Sequence, residues 1–412
     1  MKNVTLMAER SRVEEESKTA LEGILRDGAR RLLREAIENE VREYIEQHGE
    51  IRDEEGKRLV VRNGRLPERE IITGIGRVRI EQPRVNDKRM GEKYASRILP
   101  PYMRRLPSID ALIPVLYLKG ISTGDMQEAL ESILGKNAEG LSATNVVRLK
   151  SGWKQEFERW NRRNLAARRY AYLWADGVHF NVRLEDDRTC ILVIMGALED
   201  GTKELVAVNA GYRESKLSWL EVLRDLKSRG LKHAPKLAVG DGALGFWAAL
   251  DEEYPETKHQ RCWVHKTANV LDKLPERVQP NAKNKLHEMY LSPTKKDALE
   301  AYDAFIKLYS TKYPKACARL EKDKDVLFTF YDFPAEHWPH IRTTNPIEST
   351  FATVRLRTKR TKGCGSREAT LSMVFKLCMQ AQNHWRRIRG YTLIIKIFSG
   401  VVFVDGIEKE AA

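Results

Sequence analysis

Three consecutive strand-like runs, Tyr170 to Ala175, Thr189 to Leu198 and Glu204 to Gly211, constrain this chain more than any other feature. They are rich in branched and aromatic residues, and the turn Glu199-Asp-Gly201 separates the last two, so an antiparallel meander is expected. An amphipathic helix, Leu217 to Ser228, then leads to a short apolar strand, Lys236 to Val239, and a further helix. Such a crossover returns the fourth strand parallel to the first. The expected fold is an α/β core, a mixed sheet with helices packed on it.

Two aspartates close strands in this scheme. Asp176 ends the first in Tyr172-Leu-Trp-Ala-Asp-Gly-Val-His179, and Asp241 ends the fourth in Leu237-Ala-Val-Gly-Asp-Gly242. Parallel neighbours would bring both carboxylates to the carboxyl edge of the sheet, where open α/β sheets bind ligands. Gly177 and Gly242 follow them and permit a sharp turn and close approach of a bulky substrate. An Asp-Gly pair is equally an ordinary turn signal. A third acid, Glu348, lies in Thr344-Asn-Pro-Ile-Glu-Ser349, where Asn345 as N-cap and Glu348 at the third helical position would also form a capping box. Asp186, Asp187, Asp251 and Asp332 compete, but they fall in a turn or in charged helical surroundings that suit solvated faces.

Few acids suffice for phosphodiester cleavage. In-line attack and departure of the leaving oxygen can be served by two divalent ions about 4 Å apart, held by shared carboxylates. Mg²⁺ or Mn²⁺ in such a site takes oxygen ligands and keeps several waters, so two aspartates and one glutamate are enough.

Charge points to an acidic partner. The 412 residues include 72 Lys and Arg against 58 Asp and Glu, a net +14. From Lys57 to Arg105 there are 14 basic and 5 acidic residues, interleaved with the alternating runs Arg69 to Thr73 and Gly76 to Gln82, a basic hairpin. Arg355 to Arg389 holds 10 basic residues and one acid, Glu368. Between these lie a helix from Ile109 to Leu118, a break at Gly120, and helix starts at Ser122 and Ser142. The second of these would bury Val146, Val147, Leu149 and Trp153 and turn Asn145, Arg148, Lys150 and Lys154 outward, a helix-turn-helix outline.

Earlier in the chain, Leu21, Ile24, Leu25, Leu32, Leu33, Ile37, Val41, Tyr44 and Ile45 line one face of a long helix. That face needs a partner, in its own domain or across a dimer. After Cys262 the pattern stays helical to about Tyr331, an all-helical insertion. The expected segments are 1–55 (helical, dimerisation), 56–165 (basic hairpin and helix-turn-helix), 166–261 (core), 262–340 (helical insertion) and 341–412 (core-completing helix and basic end). No apolar run approaches the roughly 18 residues of a membrane span, since Lys396 interrupts Leu393 to Val404. Met1 to Arg12 lacks the features of a secretory signal. The cysteines, Cys190, Cys262, Cys317, Cys364 and Cys378, are odd in number and scattered, which suits reduced thiols in the cytoplasm.

Arg62-Asn-Gly64, Gly120-Ile-Ser-Thr-Gly-Asp-Met126, Asp176-Gly-Val-His179, Gly240-Asp-Gly242, Cys262-Trp-Val-His265 and Asn345-Pro-Ile-Glu-Ser349 follow one another in this order. Together they resemble the Mutator-type insertion-sequence transposases of bacteria, DDE transposases with a ribonuclease H-like core. The resemblance implies a triad of Asp176, Asp241 and Glu348 on Mg²⁺ or Mn²⁺, with a helical domain inserted in the 107 residues between the last two. It implies a supporting role for Cys262 and His265, whose C-x-x-H spacing supplies only half of a tetrahedral zinc site. It further implies double-stranded DNA as partner, both terminal inverted repeats and target, and a homodimer acting on paired ends through a circular intermediate. Arg62 in the hairpin, and Arg355, Arg357, Lys359, Arg360 and Lys362 after Glu348, would grip phosphates, with Arg355 two helical turns from Glu348 on the same face. Two other functions stay open: a nuclease or resolvase on the same fold without strand transfer, and a noncatalytic DNA-binding regulator.

Overall fold

The computed structural model describes residues 2–74, 76–91, 93–119, 121, 125–134, 143–180, 189–211, 213–242, 244–360 and 366–409. The chain divides into two compact units, Met1–Val147 and Arg148–Ala412. No helix among the described residues is long and apolar enough to cross a membrane.

The first unit contains α1 (Lys2–Gln47), β1 (Val60–Arg65), β2 (Arg69–Thr73), β3 (Gly76–Ile80), β4 (Pro83–Asp87), α2 (Pro107–Leu118) and α3 (Met126–Leu134). β2 and β3 pair antiparallel as the alternating pattern predicts, and β1 pairs with β4 outside them. Ile71, Val78 and Ile80 of the hairpin form a core with Ile37 of α1 and Leu99. Farther toward the start of α1, Leu21, Ile24, Leu25 and Leu32 stay exposed. Much of the hairpin's charge is met locally: Arg77 and Arg79 pair with Glu70, and Arg62 and Arg65 with Glu38. The helix starts at Ser122 and Ser142, and Gly120 before them, lie outside the described residues.

α4 (Ala143–Asn161) spans the division between the units. The sheet that follows comprises β5 (Tyr170–Phe180), β6 (Thr189–Leu198), β7 (Lys203–Gly211), β8 (Leu237–Gly240) and β9 (Lys258–Arg261), in the order β7-β6-β5-β8-β9. β5, β6 and β7 form the antiparallel meander, while β8 runs parallel to β5 and β9 parallel to β8. Tyr170 to Ala175 are all buried, as the central strand of a sheet covered on both faces requires. α5 (Lys216–Ser228) and α6 (Leu244–Glu253) cover one face, packing Trp219, Leu223, Phe246 and Leu250 on Leu173, Leu192 and Ala238.

Helices follow: α7 (Trp263–Leu271), α8 (Gln279–Leu291), α9 (Lys295–Tyr309), α10 (Pro314–Glu321), the single turns α11 (Lys324–Leu327) and α12 (Trp338–Ile341), then α13 (Asn345–Arg360), α14 (Arg367–Gln382) and α15 (Leu393–Phe398). α13 contacts β5 and α14 contacts β7. The small ribbon β10 (Phe403–Val404) and β11 (Ile407–Glu408) closes the described chain.

Two strand assignments differ from the pattern-based expectation. β5 continues four residues past Asp176, because Gly177 to Phe180 keep their ladder with β6. β9, Lys-His-Gln-Arg, is a fifth strand that hydrophobic pattern does not announce; its backbone pairing with β8 holds polar side chains in the sheet, where Gln260 donates to the carbonyls of Arg261 and Leu327 and accepts from Phe330 N.

Candidate active site

Ala175 and Gly240 are register partners across the parallel β5–β8 ladder. Asp176 and Asp241 are the next residues of each strand, so the two acids are juxtaposed where β8 ends. Asp176 itself is not at a strand end. It sits within β5, opposite Val193 of β6, and Gly177 forms no turn. A Cβ on Gly177 would lie 2.6 Å from Glu214 Cδ, so this glycine makes room for a fourth carboxylate.

Asp176 is 7 % exposed and accepts a hydrogen bond from the Gly177 amide at 2.8 Å. Burial, then repulsion from Asp241, pushes its carboxyl up to about 7, opposed by His265. Glu214 is pushed up to about 7 by burial and by the charges of Asp241 and Asp176, and its Oε1 lies 3.5 Å from His179 Nε2. Sequence reasoning missed Glu214. It precedes the cap of α5, where Ser215 Oγ accepts from Ser218 N at 3.2 Å, and nothing in Arg213-Glu-Ser-Lys216 distinguishes it from a solvated turn residue. Its only signal is spatial: the bare strand position at Gly177.

Glu348 projects from the first turn of α13. That helix begins at Asn345, so Asn345 is a helical residue and not the cap of a capping box. The Glu348 carboxylate instead accepts from the hydroxyl of Thr344, which is fully buried. Thr344 Oγ1 also lies 3.1 Å from Cys262 Sγ and 3.3 Å from His265 Nδ1, and Thr344 N donates to Cys262 Sγ at 3.2 Å. One hydroxyl has one proton, so Thr344 donates to Glu348 or to Cys262 at any moment, and its oxygen is shared among Glu348, the thiol and the imidazole. His265 is pushed up to about 9, first by its hydrogen bond with Cys262 and then by nearby negative charge including Glu348 and Asp176. Its Nδ1 lies 3.6 Å from Glu348 Oε1.

The donor chemistry fits a divalent cation. Asp176 feels the negative charges of Asp241 and Glu348, and Glu214 those of Asp241 and Asp176, and burying like charges is costly without a positive partner. Two sets of donor atoms lie within 4.8 Å of one another: Cys262, His265 and Glu348, and His179, Cys190 and Glu214.

The competing acids are engaged elsewhere. Asp251 pairs with His259 at 3.0 Å and Asp332 with Lys258 at 3.0 Å; Asp186 and Asp187 lie outside the described residues. Arg62 pairs with Glu38 at 3.0 Å. Lys154 is exposed on α4, and Arg355 is exposed on α13 with its guanidinium 6.0 Å from the Phe351 ring centre. The side chains of Asn145, Arg148, Lys150, Arg357, Lys359 and Arg360, and Lys362 and Cys364 entirely, lie outside the described structure. Cys190, Cys262, Cys317 and Cys378 are buried free thiols.

Residues 1–388 match the family described as "Transposase, Mutator family". A transposase for insertion sequence element IST2 of Acidithiobacillus ferrooxidans is 54% identical over 289 residues, 68% of this chain and 95% of the relative. A transposase for insertion sequence element IS6120 of Mycolicibacterium smegmatis is 51% identical over 295 residues, 72% of this chain and 91% of that protein. A transposase for insertion sequence element ISRM5 of Rhizobium meliloti is 27% identical over 370 residues, 89% of this chain and 90% of the relative. The chain belongs to the Mutator family of transposases.

Proposed function

We propose that this transposase binds the terminal inverted repeats of an insertion sequence, cleaves DNA there and joins the freed end to another strand, using Asp176, Asp241 and Glu348 on a ribonuclease H-like core. The observation that carries this reading is the Ala175–Gly240 register, which sets Asp176 beside Asp241 in a buried position whose carboxyl is pushed up to about 7. In the first step water attacks the phosphodiester in line and the bond to the 3′ oxygen breaks, leaving a 3′-hydroxyl. In the second, that hydroxyl attacks a phosphodiester of another strand and displaces its 3′ oxygen, so no covalent protein intermediate is needed. Two divalent ions, Mg²⁺ or Mn²⁺, when bound by Asp176, Asp241 and Glu348, would supply charge stabilisation to the attacking and leaving oxygens.

The chain's own groups do the positioning. Thr344 orients the Glu348 carboxylate through a hydrogen bond, and Cys262 holds Thr344 by its amide. Glu214, from the other side of Gly177, adds a fourth carboxylate to the cluster. Residues 56–165 would read the repeats through the basic hairpin and a helix-turn-helix, 166–261 and 341–412 would form the core and its closing helix, and 262–340 would be the inserted helical domain. Residues 1–55 would pair two copies through the exposed Leu21, Ile24, Leu25 and Leu32.

Incubating the protein with labelled inverted-repeat duplex, a target plasmid and Mg²⁺ tests the reading. Joined products are expected. Cleavage without joining would assign a nuclease or resolvase instead, and binding with neither would leave a DNA-binding regulator.

A further inference from the structure

Beside Asp241 the surface opens into a cavity of about 160 Å³ whose walls come from the end of β9, from α7 and from the end of α10. Arg261, Lys266, Arg319 and Lys322 in its lining stand against Asp241 and Asp323, and Cys262 and His265 share the wall. Lys266 is committed inside the protein, donating to the Arg319 carbonyl at 2.7 Å and pairing with Asp323. Arg261 shares that same carboxylate through Nε at 3.3 Å, so one acid offsets two buried cations.

Arg261 is the informative residue. It is 8 % exposed. Its guanidinium lies 3.9 Å over the Trp247 ring, and that stack with the Asp323 pair fixes the plane of the fork. Its Nη1 is buried without a hydrogen-bond acceptor among the described residues. A buried charged donor without an acceptor is costly, whereas a phosphate oxygen is the acceptor that a guanidinium fork matches best. Next to Asp241, Gly242 leaves open space where a Cβ would meet nothing within 4 Å, so a substrate backbone can approach.

We propose that this cavity is a phosphate subsite that grips one DNA phosphate near the scissile bond on the Asp241 side, with Arg261 as its fixed donor and Lys322 and Arg319 at its rim. The inference rests on the DNA-cleavage reading above and adds to it where the backbone is anchored. Arg261 and Lys322 are positioning residues: they would set the register of the strand over the acids, with no part in bond making.

The test uses inverted-repeat duplexes in which each phosphate around the element end is replaced singly by an uncharged methylphosphonate, with binding measured by fluorescence anisotropy in Ca²⁺. Wild-type protein should lose roughly tenfold in affinity at one linkage. In Arg261→Gln that linkage should no longer matter, in Lys322→Ala its penalty should shrink several-fold, and in each the slope of log affinity against log salt should fall by about one. Lys322 is exposed, so its variant carries the test even if Arg261→Gln fails to fold. Identical interference profiles in wild type and Lys322→Ala would overturn the proposal. So would thermal stabilisation by inorganic phosphate, lost in Lys322→Ala, with no sensitive linkage in DNA, which would make the cavity a site for free phosphate. Continued cleavage by Asp176→Asn would sink the catalytic reading while leaving a mapped phosphate contact intact.

Discussion

Thr344 and Cys262, 82 residues apart, are joined twice: the amide and the hydroxyl oxygen of Thr344 lie 3.2 and 3.1 Å from Cys262 Sγ. The thiol thereby fixes the residue that orients Glu348. Cys262→Ala would strand a buried amide, at a cost of about 1–3 kcal/mol, and release the Thr344–Glu348 hydrogen bond. Thermal melts and single-turnover cleavage should both deteriorate in Cys262→Ala and recover largely in Cys262→Ser, whose oxygen can still accept. Full cleavage activity in the alanine variant would remove any role of this contact in placing Glu348.

Asp176→Asn, Asp241→Asn and Glu348→Gln should each lower DNA cleavage and joining by at least roughly 10²–10³-fold, the scale for losing a preorganised charge at a reacting phosphate. DNA retention in gel shifts should persist. The three losses should not add, because under the proposed mechanism the carboxylates would act as one unit.

Asp176 and Glu214 have folded values of about 7, above their reference values of 3.8 and 4.5. Below about pH 3 both are largely protonated in the folded and unfolded chain alike. As pH rises from about 4 to about 7, the unfolded chain releases protons that the folded one retains, so the folded state loses stability across that window. In chelator, the melting temperature of wild type should therefore fall more between about pH 5 and about pH 8 than that of Asp176→Asn. Adding Mg²⁺ at the higher pH should raise the wild-type melt and leave the variant nearly unmoved. Parallel curves for the two proteins would contradict the buried-carboxylate account.

Gly177→Ala should push Glu214 out of place and cost about 1–3 kcal/mol by overpacking. Glu214→Ala removes the obstacle, so the double variant should be more stable than the sum of the single effects predicts. Urea melts of the four proteins measure this coupling, and strict additivity would mean that the two residues do not meet.

Glutamate at Leu25 and Leu32 of α1, both exposed, should convert a dimer into a monomer in light scattering without lowering the melting temperature of the catalytic unit. A wild-type protein that is monomeric at micromolar concentration would refute the role assigned to this face.

The sheet was legible where hydrophobic pattern governs it. Tyr170 to Ala175 and Leu237 to Gly240 are apolar runs because both sheet faces are covered, and their parallel pairing follows from the crossover through α5. β9 escaped because its backbone, and not its side-chain polarity, secures it. Gly177 escaped for a related reason: an Asp-Gly pair signals a turn, but here the missing Cβ accommodates Glu214. Arg261 lies in that unheralded strand, so its enclosure between Trp247 and Asp323 could not be seen from composition.

Asp176 and Asp241 come from neighbouring strands, while Glu348 arrives 107 residues later on α13. A premature stop or frameshift anywhere in that interval removes one carboxylate and the Thr344 that aims it. Under the proposed triad, decayed copies truncated before Glu348 would encode fragments without cleavage activity, and a ribosome would have to translate most of the message before a nascent chain held all three acids.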